Sequence, residues 1–204
     1  METIRDNFRM SETKTHQKNK TSQFRSRIPK FKITLPVRNV ITHDAHKSIK
    51  NYDYRASLIL QVGQSKLFLS SEEFASDKRF LKDNNIGAIV CVMIEQPKLL
   101  NDPEVSNINF LHIPINDFLE ESISNHFETC NDFINCQIKQ NKSVLVHCKM
   151  GISRSATIIT AYLMKTRKMT LKNALDYVTS KRNYVCPNFG FHLQLHNYEK
   201  ILNE

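Results

Sequence analysis

The stretch SVLVHCKMGISRSATIITAYLM, residues 143–164, constrains this chain more than any other. A short apolar run enters a polar loop built around one glycine, and the loop enters a long apolar stretch. The first part reads as a buried strand and the last, from about 155 to 167, as a helix. The same alternation continues on both sides. ASLILQV and SKLFLSS flank Gly63 as two strands around a turn. Ser70 followed by Glu73 fits a capping box that opens a helix through about Lys82. GAIVCVMI and NFLHIPI are β-branched apolar runs and read as buried strands. Phe127, Cys130, Ile134 and Ile138 recur at helical spacing, which predicts a helix over 124–140, and further helices follow over 170–182 and 189–203. Strands alternating with helices predict an α/β domain: a mixed, mostly parallel central sheet flanked by helices. Ligands of such sheets sit at the carboxyl ends of the strands, where His147 and Cys148 fall.

At 204 residues there is room for one domain of ordinary size and some excess. The net charge is +9, but residues 1–50 carry +8 of it and the rest only +1. The basicity therefore belongs to a tail over 1–52, rich in Lys, Thr, Ser, Asn and Gln. Its composition buries too little apolar surface to offset ordering entropy and predicts disorder. The folded domain is expected over 53–204. A nucleic-acid partner is not expected, because the body is nearly neutral. Five cysteines without a CxxC pair or zinc-ligand spacing argue against a metal cofactor and a disulfide framework. No run is long enough for a transmembrane segment, no signal peptide stands at the start, and Glu2 replaces the glycine that myristoylation needs. The expectation is a soluble, reduced, cytoplasmic protein, with the nucleus as a second location.

The loop itself has the makings of an anion site. Lys149, Met150, Gly151, Ile152 and Ser153 lie between Cys148 and Arg154, enough to curl once around a phosphoryl group. Their amides can form a nest, and the positive end of the helix adds to it. Gly151 sits where the backbone must turn sharply or approach a ligand closely. Arg154 offers a planar fork of donors that matches two phosphate oxygens. The same surroundings favour a sulfur anion at Cys148, the form that attacks phosphorus to give a phosphocysteine. His147 is adjacent on a strand, so its side chain starts on the opposite face. It is expected to hydrogen-bond the loop and not to act as a base. Ser155 is placed to donate to the sulfur and ease its departure.

His147 to Ser155, an HC-x5-R motif followed by serine, resembles the signature of the cysteine-dependent protein tyrosine phosphatases. GISRSAT and RNYVCPNFGFHLQL are similar to its dual-specificity branch, and the likeness covers about residues 54–204. It implies a phosphatase-type mixed sheet and a shallow pocket accepting phosphotyrosine and phosphoserine/threonine on protein substrates. Ser70 departs from the pattern, since the family often has glycine after the second strand. Asp117 matches the family's position for the general acid, which protonates the leaving oxygen and later acts as base toward water. Glu120 and Glu121 read as solvated loop residues, His112 as structural, and Asn188 as the cap of the last helix.

Two other readings compete. Lys149 also occurs in phosphoinositide and other lipid phosphatases, which usually carry a second basic loop residue where this chain has Ile152. A phospho-binding module would be favoured by loss of Cys148 or Asp117, and both are present. In the tail, RSRIPKFKITL (Arg25 to Leu35) has the pattern of a docking peptide for mitogen-activated kinases. Cys91 is a candidate resolving partner for an oxidised Cys148.

Overall fold

A computed structural model describes residues 55–204. The tail over 1–52, its docking-like stretch and the first two residues of the expected domain lie outside the described residues. Five strands form one sheet: β1 (Ser57–Val62), β2 (Ser65–Ser71), β3 (Ile86–Val92), β4 (Asn109–Ile113) and β5 (Ser143–Cys148). The order is β1-β2-β5-β3-β4, with β1 antiparallel to β2 and every other pairing parallel. The sheet is therefore mixed and mostly parallel, and β5 lies at its centre. Its carboxyl end meets those of β2 and β3, with Ser71 opposite Cys148 on one side and Cys91 opposite His147 on the other.

Alternation along the strands serves two cores. Leu67, Leu69, Val90, Val144, Val146 and Cys148 face the larger helical layer, whereas Phe68, Ile89 and Leu145 face the smaller one. The larger layer holds α3 (Phe127–Lys139), α4 (Arg154–Arg167), α5 (Leu171–Lys181) and α6 (Phe189–Asn203). Helix α4 is buried continuously from Ser155 to Met164, as a helix packed by neighbours on all sides must be. Its interior hydroxyls are satisfied locally: Thr157 and Thr160 donate to the carbonyls of Ser153 and Ala156.

One local expectation is corrected. Pairing with β5 carries β2 past Ser70 to Ser71, so Ser71 is the helix cap, accepting from the Phe74 amide. The helix also breaks in two. Helix α1 (Glu72–Ala75) stops at Ser76, and Asp77 opens α2 (Lys78–Asp83) by accepting from the Phe80 amide. A second acceptor six residues after the first competes with a continuous helix. The helix expected over 124–140 begins as a 3-10 turn over Ile123–His126 before α3. Among the described residues no helix is long and apolar enough to cross a membrane.

Candidate active site

Strand β5 delivers Cys148 to the sheet's carboxyl edge, and the loop 149–153 returns the chain into α4. The first four loop carbonyls are engaged by surrounding protein and the fifth by the first turn of α4. The Glu72 amide donates to Lys149 O at 3.3 Å, and the Cys186 amide to Ile152 O at 2.9 Å. Arg182 donates to Gly151 O at 2.9 Å through Nε and to Met150 O at 3.4 Å through Nη2. The Ser153 carbonyl accepts from the Thr157 amide at 2.8 Å. In a trans peptide the N–H opposes the C=O, so carbonyls drawn outward turn amides inward. The Gly151 amide accordingly donates to Cys148 Sγ at 3.3 Å. Ser155 Oγ donates to the same sulfur at 3.2 Å, so two donors converge on a thiol that is only 1 % exposed. These are the partners that stabilise negative charge on sulfur.

Gly151 adopts φ +69°, and an added Cβ would lie 2.6 Å from the Ser70 carbonyl oxygen. Both the backbone conformation and the close approach require glycine here. The serine that departs from the family pattern thus sets its carbonyl against the one glycine of the loop.

Arg154, the first residue of α4, donates through Nη1 to Ile115 O at 3.1 Å, and its Nε lies 3.6 Å from Asp117 Oδ2. That Nε is buried and has no hydrogen-bond partner among the described residues. Asp117 follows the carboxyl end of β4, and its Oδ1 accepts from Ser153 Oγ at 2.6 Å and from Asn188 Nδ2 at 2.8 Å. A nucleophile and a guanidinium from the two ends of one loop are therefore gathered with a carboxylate from a second segment. Glu120 is exposed, as expected of a solvated residue. Glu121 is not: its Oε1 accepts from the amide and side chain of Asn116 and braces the turn that carries Asp117. His112 meets the Met93 carbonyl at 2.8 Å within the fold.

His147 lies on the opposite face of β5 from Cys148, buried near Glu72 and Lys98. Burial pushes its imidazole down to about 4, against smaller upward pulls from the Cys148 backbone and the Glu72 charge. Lys149 turns its ammonium outward to Glu72, at 2.8 Å, and Lys98 joins from 3.3 Å. Burial alone would raise the Glu72 carboxyl, but the two lysines outweigh it and hold it below the usual range. Cys91 registers with His147 and shares its face, its Sγ is directed at Glu95 O, and burial pushes the thiol up to about 12. That arrangement does not favour a resolving role.

Three side chains that shape the site have no such role in the sequence reading: Arg182, Glu72 and the amide of Asn188. Arg182 and Asn188 stand in the stretch that resembles the dual-specificity branch, and that was their one signal.

Comparison with known proteins bears on the fold and the family. Residues 67–201 match the family model described as dual specificity phosphatase, catalytic domain. Human dual specificity protein phosphatase 5 is 41% identical over 133 residues, covering 65% of this chain and 34% of that protein. The chain thus spans about a third of the length of that relative. Dual specificity protein phosphatase 1B of Arabidopsis thaliana is 38% identical over 139 residues, covering 68% of this chain and 81% of the relative. The crystal structure of human DUSP28 superposes with a TM-score of 0.64 at 31% identity, covering 72% of this chain and 96% of the other.

Proposed function

We propose, from the premise that this chain belongs to the dual specificity phosphatase family, that it hydrolyses phosphotyrosine and phosphoserine/threonine on proteins through a phosphocysteine. The single observation that carries this reading is the sulfur of Cys148 at the focus of a loop whose carbonyls from Lys149 to Ile152 are all tied outward. A phosphoryl group placed above that sulfur meets the inward amides and the Nε–H of Arg154, which makes no hydrogen bond among the described residues. The thiolate attacks phosphorus, the P–S bond forms, and the P–O bond to the substrate breaks. Asp117 gives its proton to the departing oxygen. It then takes a proton from water, which attacks phosphorus and expels the sulfur as Ser155 donates to it. A thiolate nucleophile needs a reducing compartment, which supports a cytoplasmic setting. Kinase docking through Arg25–Leu35 stays a proposal on sequence pattern alone.

The geometry favours protein over lipid substrates. A lipid headgroup site would want Lys149 turned to the pocket, and here it is held by Glu72.

The deciding experiment is Cys148→Ser assayed on a generic aryl phosphate. A serine hydroxyl is a far weaker acid than a thiol and a poorer nucleophile toward phosphorus, so turnover should fall to the uncatalysed level while the melting temperature stays close to wild type. Retained turnover in the purified variant would place the nucleophile elsewhere.

A further inference from the structure

The amide of Asn188 does more than cap a helix, and its role rests on the phosphatase reading given above. We infer that Asn188 is a positioning residue for the acid: it holds Asp117 Oδ1 as an acceptor, leaving Oδ2 as the oxygen that carries the transferable proton. The orientation of the amide is set by α6. Asn188 Oδ1 accepts from the Phe191 amide at 2.9 Å, so Nδ2 is directed away from the helix. That nitrogen donates to Asp117 Oδ1 at 2.8 Å and reaches the Phe118 carbonyl at 3.4 Å.

Ser153 completes the arrangement. Its Oγ receives the Asn188 main-chain N–H at 3.1 Å and gives its own single proton to Asp117 Oδ1 at 2.6 Å. Oδ1 therefore faces two donors, and a proton on it would oppose both. Oδ2 faces Arg154, whose Nε is 3.6 Å away, and so points toward the phosphoryl site. The turn bearing the acid also rests on the start of α6. At Gly190 an added Cβ would lie 2.0 Å from the Leu119 carbonyl oxygen, so the two backbones are in direct contact.

Residue choice sharpens the inference. Ser, Thr, Asp and Asn all make good N-caps. Among them, asparagine alone offers an acceptor to the helix and an amide donor to a neighbouring carboxylate on two atoms of one plane. A pure cap would not need it.

Two cap-preserving variants test this, Asn188→Ser and Asn188→Asp, beside Asp117→Asn and the combination of Asn188→Ser with Asp117→Asn. The substrates are an aryl phosphate with an acidic phenol and a phosphoserine peptide, whose leaving oxygen needs a proton. Losing a hydrogen bond to a charged group should lower kcat/KM on the peptide about tenfold to hundredfold in Asn188→Ser, and far less on the activated ester. Asn188→Asp should lose more on the peptide, because it sets a like charge beside Asp117. In the Asp117→Asn background the serine substitution should add no further leaving-group effect, since the proton it positions is gone. Equal losses on both substrates would overturn the inference, whether or not both variants melt earlier, and so would wild-type rates in Asn188→Ser. A wild-type enzyme idle on both substrates would sink the phosphatase reading itself.

Discussion

Arg182 is 2 % exposed, yet its guanidinium reaches Gly151 O, Met150 O, Arg55 O and Ser57 Oγ and lies over the Tyr184 ring. A delocalised, weakly hydrated cation tolerates burial against carbonyls better than an ammonium would. Beneath the same loop His147 is a buried imidazole held neutral. Its folded value of about 4 lies below the ordinary 6.5, so between these two values the unfolded chain binds the extra proton. The contribution is therefore complete above pH 6.5 and is lost as pH falls from 6.5 through 4. A gap of this size corresponds to about 3 kcal/mol across that window. Denaturant unfolding from pH 7 to pH 4.5 should show this fall in wild type and a much flatter profile in His147→Asn. A parallel slope in the variant would assign the fall to other groups.

Among the α-helices, α3 and α4 lack a side-chain cap, and of the two α3 continues a 3-10 turn whereas α4 opens directly from the loop 149–153. Helices α1, α2, α5 and α6 begin at Ser71, Asp77, Thr170 and Asn188, each accepting from an amide of the first turn. Helix α4 has no side-chain cap, because Ser153 gives its hydroxyl to Asp117. Its first-turn amides are left for an anion. Inorganic phosphate should thus act as the missing cap and stabilise the folded state by about 2.7 kcal/mol at a hundred times its Kd. Thermal melts of the Cys148→Ser protein in phosphate, against chloride of equal ionic strength, should show the rise, and Arg154→Met should remove most of it. Equal shifts in both salts would mean that no phosphate site exists. The chain also economises on glycine at helix ends, where Asn85 (φ 51°) and Asn141 (φ 58°) take the left-handed positions after α2 and α3. Gly151 stands where a side chain would strike backbone.

Over the whole molecule, size does not mark the site. A cavity of about 510 Å³ opens beside Lys78, Lys82, Asn85 and Glu104, at the amino ends of β3 and β4 and so at the far end of the sheet from Cys148. Lys78 there is paired with Asp102 and Glu104. The proposed catalytic groups are marked instead by convergence of donors on the Cys148 sulfur. All of them lie between Asp117 and Asn188, so removing residues 1–50 should leave kcat/KM on a small aryl phosphate close to that of the full chain. The +8 charge of that segment should appear as salt-sensitive binding to a protein or anionic partner. A truncated protein that aggregates or loses small-ester activity would extend the domain toward the amino terminus.

Local pattern was enough to read the strands, the longer helices and the strand–loop–helix segment around Gly151, because each is written in neighbouring residues. Strand β5, Gly151, Arg154 and the order of Cys148 and Ser155 follow from periodicity and spacing, and the opposite faces of His147 and Cys148 follow from the pleat. The proposal of Asp117 as the acid rests on likeness to a family, since nothing local distinguishes it from Glu120 or Glu121. The shift of the cap from Ser70 to Ser71 was hidden because the pairing that extends β2 comes from β5, more than seventy residues away. What only the tertiary structure decided is which groups hold the loop open: Arg182, Glu72 and Cys186 draw its carbonyls outward, and Asn188 turns to the acid. These partners lie far apart in the chain. Their hydrogen bonds depend on where the helices pack, and no local spacing encodes that.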